Sequence, residues 1–182
     1  ASEAAFIDAF NADRRAASIQ AGSYAMKNQM SASSAVASLL DTANRAEVNI
    51  TIPEGFTAEQ VAARLVNVMG YDAAEVEAVL ADPEALGLPA EAGGNPDGWL
   101  SPVTYSFAPD TTAQDALSAM VTQRTTELTN LGIPADAWQR TIIVASIVER
   151  EVNWSDYYGQ VARVIENRLT DNTEVVGRLQ MD

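Results

Sequence analysis

The sequence contains neither histidine nor cysteine, and these two absences exclude several kinds of active site. Without histidine there can be no Ser-His-Asp triad, no His-ligated metal and no imidazole proton shuttle. Without cysteine there are no disulfides, no thiol nucleophile and no thiolate zinc site. Acid–base chemistry in this chain must therefore use carboxylates, tyrosines, arginines or the single lysine, Lys27.

Positive charge is scarce as well. The 182 residues carry 11 Lys and Arg against 25 Asp and Glu, which gives a formal net charge of −14. No Gly-Lys-Ser/Thr element exists, so the chain has no P-loop. Because the negative charge would repel phosphates, we expect no nucleic-acid partner. No apolar run is long enough to span a bilayer.

The apolar pattern predicts an α+β fold that begins with a small α/β subdomain over residues 1–55. Within it we expect a helix over 2–19, a short strand at 23–26, and a helix that starts after the N-cap Ser31. Apolar and polar residues alternate over 48–52, as in a half-buried strand.

A mainly helical domain with a few short strands is expected over residues 56–182. Thr57 and Gln60 form the pattern of a capping box at the start of a helix. Residues 87–102 are rich in Gly and Pro and predict a loop, and the alternation over 103–107 predicts a strand. Further helix N-caps are predicted at Asp72 and Thr112.

One predicted helix, over residues 141–152, carries two glutamates among apolar residues. Apolar side chains occur on all its sides, which is typical of a central, buried helix. Burial disfavours the ionised form of Glu, so Glu149 or Glu151 would keep a proton near neutral pH, as a general acid must. The alternative is structural: both glutamates could pair with arginines, since Arg150 and Arg163 are close in sequence.

The spacing of the two glutamates bears on the mechanism. Residues i and i+2 on a helix point about 200° apart, so Glu149 and Glu151 cannot face one substrate together. A two-carboxylate glycosidase would need its second carboxylate from elsewhere in the fold. A reaction that needs one protonated glutamate fits this helix more simply.

Aromatic residues on either side of this region are candidates for stacking on sugar rings. They lie in the Gly/Pro-rich loop with its following strand, and directly after the glutamate helix. We expect Phe107 and Tyr158 to lie in the core, whereas for Trp99 and Tyr157 both a core position and a place in the cleft stay open.

Five motifs in a fixed order give the chain a family resemblance. They are 52–57 (Ile-Pro-Glu-Gly-Phe-Thr), 97–105 (Asp-Gly-Trp-Leu-Ser-Pro-Val-Thr-Tyr), 145–151 (Ala-Ser-Ile-Val-Glu-Arg-Glu), 161–169 (Val-Ala, then Asn-Arg-Leu) and 179–180 (Leu-Gln). Together they closely resemble the YceG-like (MltG-type) endolytic murein transglycosylases. Residues 19–24 and 30–31 also resemble the LysM-like region of that family, and the resemblance covers almost the whole chain.

The resemblance implies cleavage of peptidoglycan between N-acetylmuramic acid and N-acetylglucosamine within glycan strands, leaving 1,6-anhydromuramoyl ends. The catalytic glutamate of the family falls on Glu149, which would protonate the glycosidic oxygen. The muramoyl C6 hydroxyl of the substrate then attacks C1, so no second catalytic carboxylate, metal or cofactor is implied. Implied partners are peptidoglycan glycan strands and cell-wall synthases.

Supporting roles follow from the same resemblance. Glu151 would orient the helix, and Asn167 and Gln180 would bind sugar hydroxyl or acetamido groups or position Glu149. Tyr105 and Ser146 would line the cleft. We also expect this chain to be a fragment, truncated at the C-terminal end of its catalytic domain, of a protein that is anchored in the cell membrane and faces outward.

Two rival hypotheses remain, and departures from the family pattern motivate the first. Asp97 stands where the family usually has Glu, and Val103 replaces an acidic residue. A catalytically impaired peptidoglycan-binding or scaffold module of the wall-synthesis machinery is therefore one alternative. A hydrolytic muramidase is the other, and it would add one water, about 18 Da, at each cut.

Overall fold

A computed structural model describes residues 1–152 and 154–170 of the chain. In chain order the elements are α1 (Glu3–Ala12), α2 (Ala32–Leu40), β1 (Val48–Thr51), α3 (Ala58–Met69), α4 (Ala73–Leu80), α5 (Pro83–Leu86), β2 (Thr104–Phe107), α6 (Ala113–Asn130), α7 (Trp138–Glu151) and α8 (Tyr158–Thr170). The two strands pair in one sheet. This arrangement confirms the predicted α+β class.

The predicted helix starts are confirmed by their hydrogen bonds. Thr57 Oγ1 accepts from Gln60 N, and the Gln60 side chain accepts from Thr57 N, which completes the capping box of α3. Ser31, Asp72 and Thr112 cap α2, α4 and α6 through their side-chain oxygens. Each cap satisfies backbone N–H groups that have no partner within the helix.

The first compact unit comprises residues 1–50 and 105–111. In it α1 packs on α2, and Val36, Ile50 and Phe107 are buried. Ser23 Oγ donates to Asp110 Oδ1 at 3.0 Å, which ties the start of this unit to the segment that follows β2. The buried Phe107 confirms its predicted place in the core.

The second compact unit comprises residues 51–104 and 112–182. In the part that the structure describes, α3 packs on α4, α4 and α5 pack on α6, and α7 packs on α8. The core is formed by fully buried side chains from these helices and their connections, including Ile52, Val61, Leu65, Val76, Leu86, Trp99, Leu117, Met120 and Ile165. The predicted LysM-like subdomain over 1–55 and catalytic domain over 56–182 stay predictions.

Two sequence predictions in the first unit are corrected by the structure. The helix predicted over 2–19 ends at Ala12, and a short 3₁₀ helix, Ala16–Ser18, follows. Asp13 breaks it because its carboxylate accepts hydrogen bonds from the Arg15 side chain and backbone, which lower the pKa of Asp13 to about 2. The predicted strand at 23–26 is a single antiparallel bridge between Tyr24 and Arg45.

Across residues 1–152 and 154–170, no helix has the length and apolar character needed to cross a bilayer.

Candidate active site

A cleft of about 1020 Å³ opens in the second unit. Five segments line it: the loop 53–57, the segment 97–102, residues 124–131 at the end of α6, residues 140–150 of α7, and residues 158–166 of α8. A volume of this size can hold a drug-sized ligand or a short run of sugars. Several charged side chains line the cleft, namely Glu54, Asp97, Arg124, Arg140, Glu149, Arg150 and Glu166.

Glu149 lines this cleft from the last turn of α7. Its side chain is half-buried, and the loop 53–57 lies directly against its carboxyl group. A Cβ built on Gly55 would lie 3.8 Å from Glu149 Oε1 and 3.9 Å from Oε2. Gly55 has φ +73°, a left-handed conformation that favours glycine. The loop therefore passes the carboxyl group at a point where a side chain would take up the space beside it.

Helix α7 is not the buried central helix that its sequence predicts. Only Ile142 and Val148 are buried, whereas Ile143 is 48% exposed. Ala145 and Ser146 are exposed and line the cleft. One side of α7 packs on α8 and another meets the segment 97–102, so the small residues between them form an open floor.

The predicted ion pairs of the two glutamates are not formed within the described residues. The ion pairs there join Arg15 to Asp13, Arg45 to Glu47, Arg124 to Glu127, and Arg140 to Glu166. Glu149 and Glu151 take part in none of them. Arg140 and Glu166 join α7 to α8 along the cleft, and the hydrogen bond to Glu166 raises the pKa of Arg140.

The segment 97–102 contains Trp99, for which the sequence leaves both a core position and a place in the cleft open. Trp99 is fully buried, its Nε1 donates to Gln139 Oε1 at 2.8 Å, and its ring meets Trp138 edge-on at 6.2 Å. Tyr158 is predicted in the core, but it is 39% exposed and lines the cleft. Tyr157 is 51% exposed.

A polar network joins the segment 98–101 to α6. Glu127 on α6 accepts from the buried Ser101 hydroxyl at 2.6 Å and from Arg124 Nη1 at 3.1 Å. Arg124 Nε in turn donates to Gly98 O at 3.0 Å. One carboxylate thus fixes both ends of the segment 98–101 against α6, and charged hydrogen bonds of this kind are the stronger ones.

We expect Glu127→Ala to destabilise the protein by about 1–3 kcal/mol, because it removes the acceptor of Ser101 and the ionic partner of Arg124. Chemical denaturation measures this directly through the shift of the urea midpoint at constant slope. Glu77→Ala on α4, an exposed position outside the cleft, is the matched control and should stay within about 0.5 kcal/mol of wild type. Equal midpoints for the two variants would contradict this stabilising role of Glu127.

The structure brings together some of the sequence-predicted site residues and leaves others apart. Ser146 lines the cleft with Glu149, and its hydroxyl donates to Ile143 O at 2.8 Å. Glu151 and Asn167 are exposed and are not among the lining residues. Tyr105 belongs to the first unit, where its ring stacks on Phe107 at 5.5 Å. Gln180 lies outside the described residues, and the roles assigned to all of these side chains stay predictions.

The two departures from the family motif lie in different surroundings. Asp97 lines the cleft, and its Oδ1 accepts from Ala58 N at 2.7 Å, at the start of α3. Val103 does not line the cleft, and its carbonyl accepts from Ile52 N at 3.0 Å. That contact is made by the backbone, so the residue type at 103 does not affect it.

Sequence reasoning missed three features of the cleft: the contact of Gly55 with Glu149, the cap that Asp97 provides, and the Arg140–Glu166 pair. The Pro-Glu-Gly turn at 53–55 and the Asp97-Gly98 pair were the available signals, since both mark sharp turns. Neither signal says what the turn packs against.

Two helical carboxyl groups line the cleft: Glu149 on α7, and Glu166 on α8, which is paired with Arg140. The cleft also has an open apolar floor and further arginines. No cluster of three or more metal-ligating side chains occurs in residues 1–152 and 154–170. Glu149 can give a proton to, or take one from, a ligand in the cleft, and Gly55 of the loop 53–57 lies on one side of its carboxyl group.

Comparisons with known proteins agree on one family. The sequence model of the YceG-like family matches residues 1–182. Among solved structures, the chain is similar to a YceG-like protein, lmo1499, from Listeria monocytogenes, with 25% sequence identity and a TM-score of 0.57. The match covers 97% of this chain and 62% of the other, so the chain spans less than two thirds of that protein's length. No curated protein matches the sequence.

Proposed function

The chain belongs to the YceG-like family, a family of murein-transglycosylase type, and on that premise we propose that it is an endolytic lytic transglycosylase with Glu149 as its acid and base. The substrate is a peptidoglycan glycan strand, cut between N-acetylmuramic acid and N-acetylglucosamine. The observation that carries the proposal is the position of Glu149: its carboxyl group is half-buried, lines the cleft and lies beside Gly55.

The proposed reaction moves one proton through Glu149. Glu149 gives its proton to the glycosidic oxygen as the bond from that oxygen to C1 breaks. The Glu149 carboxylate then takes the proton of the muramoyl C6 hydroxyl while the oxygen of that hydroxyl forms a bond to C1. The products are a free 4-hydroxyl on one fragment and a 1,6-anhydro ring on the other. No water is consumed, and Glu149 ends in the protonation state in which it began.

The other carboxylates of the cleft support a single-glutamate reaction over hydrolysis. Asp97 is hydrogen-bonded to Ala58 N, and Glu166 is paired with Arg140. Glu151 is exposed and does not line the cleft. A hydrolase needs a second carboxylate to activate water or to act as nucleophile, and among the described lining residues only Glu54 is left for that task. An attack by the substrate's own hydroxyl needs no such group.

Peptidoglycan lies outside the cytoplasmic membrane, and we place the action of this protein there, anchored at that membrane. This location rests on the proposed substrate.

The proposal is tested by incubating the protein with purified peptidoglycan and measuring the masses of the released glycans. We expect cuts within the strands that create new 1,6-anhydromuramoyl ends, each about 18 Da lighter than an end made by hydrolysis. Hydrolysed ends would instead identify a muramidase. Sedimentation with peptidoglycan but no new ends would identify a binding or scaffold module, and either result would refute the proposal.

A further inference from the structure

The dipeptide Asp97-Gly98 joins two parts of the cleft that are distant in sequence. Asp97 Oδ1 accepts from Ala58 N at 2.7 Å, across 39 positions of the chain. Its own backbone N–H donates to Asn95 Oδ1 at 3.0 Å, which fixes the turn that presents the carboxylate. Ala58 is the first residue of α3, so its N–H has no partner within the helix. Asp97 supplies that partner from outside.

The next residue, Gly98, packs the same turn closely against α7. Gly98 has φ +81°, and a Cβ at this position would overlap Ile142 Cγ2. The Gly98 carbonyl accepts from Arg124 Nε at 3.0 Å, which adds a tie to α6. Ile142 lies seven residues before Glu149, about two turns along the same face of α7. The position of the Asp97-Gly98 turn is therefore fixed relative to the helix that carries Glu149.

The loop 53–57 is held at both ends and lies against Glu149 between them. At one end Ile52 N donates to Val103 O at 3.0 Å. At the other end the first N–H of α3 is held by Asp97. Between these ties, Gly55 lies against the Glu149 carboxyl. The capping box of α3 joins only Thr57 and Gln60 to each other. The hydrogen bond from Ala58 N to Asp97 therefore connects the C-terminal end of the loop to the segment 97–102, which packs on α7.

From these contacts we infer that Asp97 is a positioning residue: by holding Ala58 N it fixes the loop 53–57 against the Glu149 carboxyl, and so sets the surroundings in which that carboxyl passes its proton. The inference rests on the proposed function, in which Glu149 is the acid. A misplaced loop would leave substrate binding along the rest of the cleft nearly intact while impairing the chemical step, because catalysis depends on small displacements.

The test compares Asp97→Ala, which removes the tie, with Asp97→Asn, which keeps an acceptor oxygen at the same place. Asp97→Ala should lower kcat about ten- to hundredfold and change KM by less than about threefold. Asp97→Asn should restore kcat to within about threefold of wild type. Should the alanine variant fail to fold, Asp97→Ser takes its place, since its shorter side chain does not reach Ala58 N.

Asp72→Ala is the matched control. Asp72 also caps a helix through its carboxylate, accepting from Ala74 N and Glu75 N, but it does not line the cleft. This variant should lower the melting temperature as Asp97→Ala does and leave kcat unchanged. A purely structural role for Asp97 would make the two variants behave alike, and that result would overturn the inference.

Amide hydrogen exchange provides a readout that needs no turnover. Exchange at Ala58 and over residues 54–57 should rise at least about tenfold in Asp97→Ala and remain close to wild type in Asp97→Asn and Asp72→Ala. Unchanged exchange in Asp97→Ala would overturn the positioning role. A wild-type protein that makes no anhydro ends would instead refute the proposed function, and the exchange comparison would still decide whether Asp97 fixes the loop.

Discussion

Glu149→Gln should reduce the release of 1,6-anhydromuramoyl ends from peptidoglycan by about 100- to 10,000-fold. The amide has nearly the same shape as the carboxyl group but cannot give or accept the proton at the glycosidic oxygen. Glu149 makes no ion pair within the described residues and is half-buried, so the fold loses little by the change. Counting anhydro ends by mass spectrometry measures the activity, and circular dichroism checks the fold.

The control for this variant is Glu77→Gln, the same change on the exposed surface of α4. It should leave both activity and melting temperature unchanged. Anhydro ends produced by Glu149→Gln at more than about a tenth of the wild-type rate would remove Glu149 from the role of general acid. Loss of activity together with loss of the fold would mean that the glutamate is structural, as the alternative interpretation of the sequence had it.

Gly98→Ala should be among the most destabilising single changes in this chain. The positive φ of +81° costs an alanine about 1–3 kcal/mol, and the added methyl group overlaps Ile142 Cγ2. Ile142 is buried and β-branched, so it cannot rotate away freely, and overpacking adds about 1–3 kcal/mol. We expect a total loss of about 2–6 kcal/mol, measured by urea denaturation, and a fall in melting temperature of about 4–24 °C.

Gly93→Ala separates the two causes of this loss. Gly93 also has a positive φ, +59°, but a Cβ there would meet nothing within 4 Å. Gly93→Ala should therefore lose only the conformational part of the stability, about 1–3 kcal/mol. If Gly98→Ala and Gly93→Ala were equally destabilised, the close packing of the 97–102 segment on α7 would be contradicted.

The parts of the fold that were predicted correctly depend on interactions between residues close in sequence. The capping box of Thr57 with Gln60 joins residues three positions apart, and Ser31, Asp72 and Thr112 cap their helices over the same range. The strand that contains Ile50 follows from local alternation. Such signals are present in the sequence before any tertiary contact forms.

The exposure of α7 could not be predicted in the same way. Its apolar residues face all sides, and that pattern cannot distinguish a helix packed all round from one whose open side is the floor of a cleft. Ala145 and Ser146 are small, and their exposure depends on how much of α7 is covered by α8 and the segment 97–102. The same limit applies to Trp99, whose burial arises from Trp138 and Gln139 in a distant helix.

The sequence singles out Glu149 but not the residues around it, and the catalytic role of Glu149 stays a prediction. Glu149 was selected from a helical pattern and a family resemblance, and the structure places it in the cleft. The neighbours that matter for its environment, Gly55 and Asp97, come from turns far away in the sequence. A turn signal identifies where the chain reverses, but only the packed structure says which side chain it meets.

The central claim is that the attacking oxygen comes from the substrate and that Glu149 passes the proton. Digestion of peptidoglycan in ¹⁸O-labelled water, followed by mass spectrometry of the new glycan ends, tests it most directly. We predict 1,6-anhydromuramoyl ends that carry no ¹⁸O from wild-type protein and no such ends from Glu149→Gln. New reducing ends that carry ¹⁸O would show that water is the nucleophile and would contradict the account.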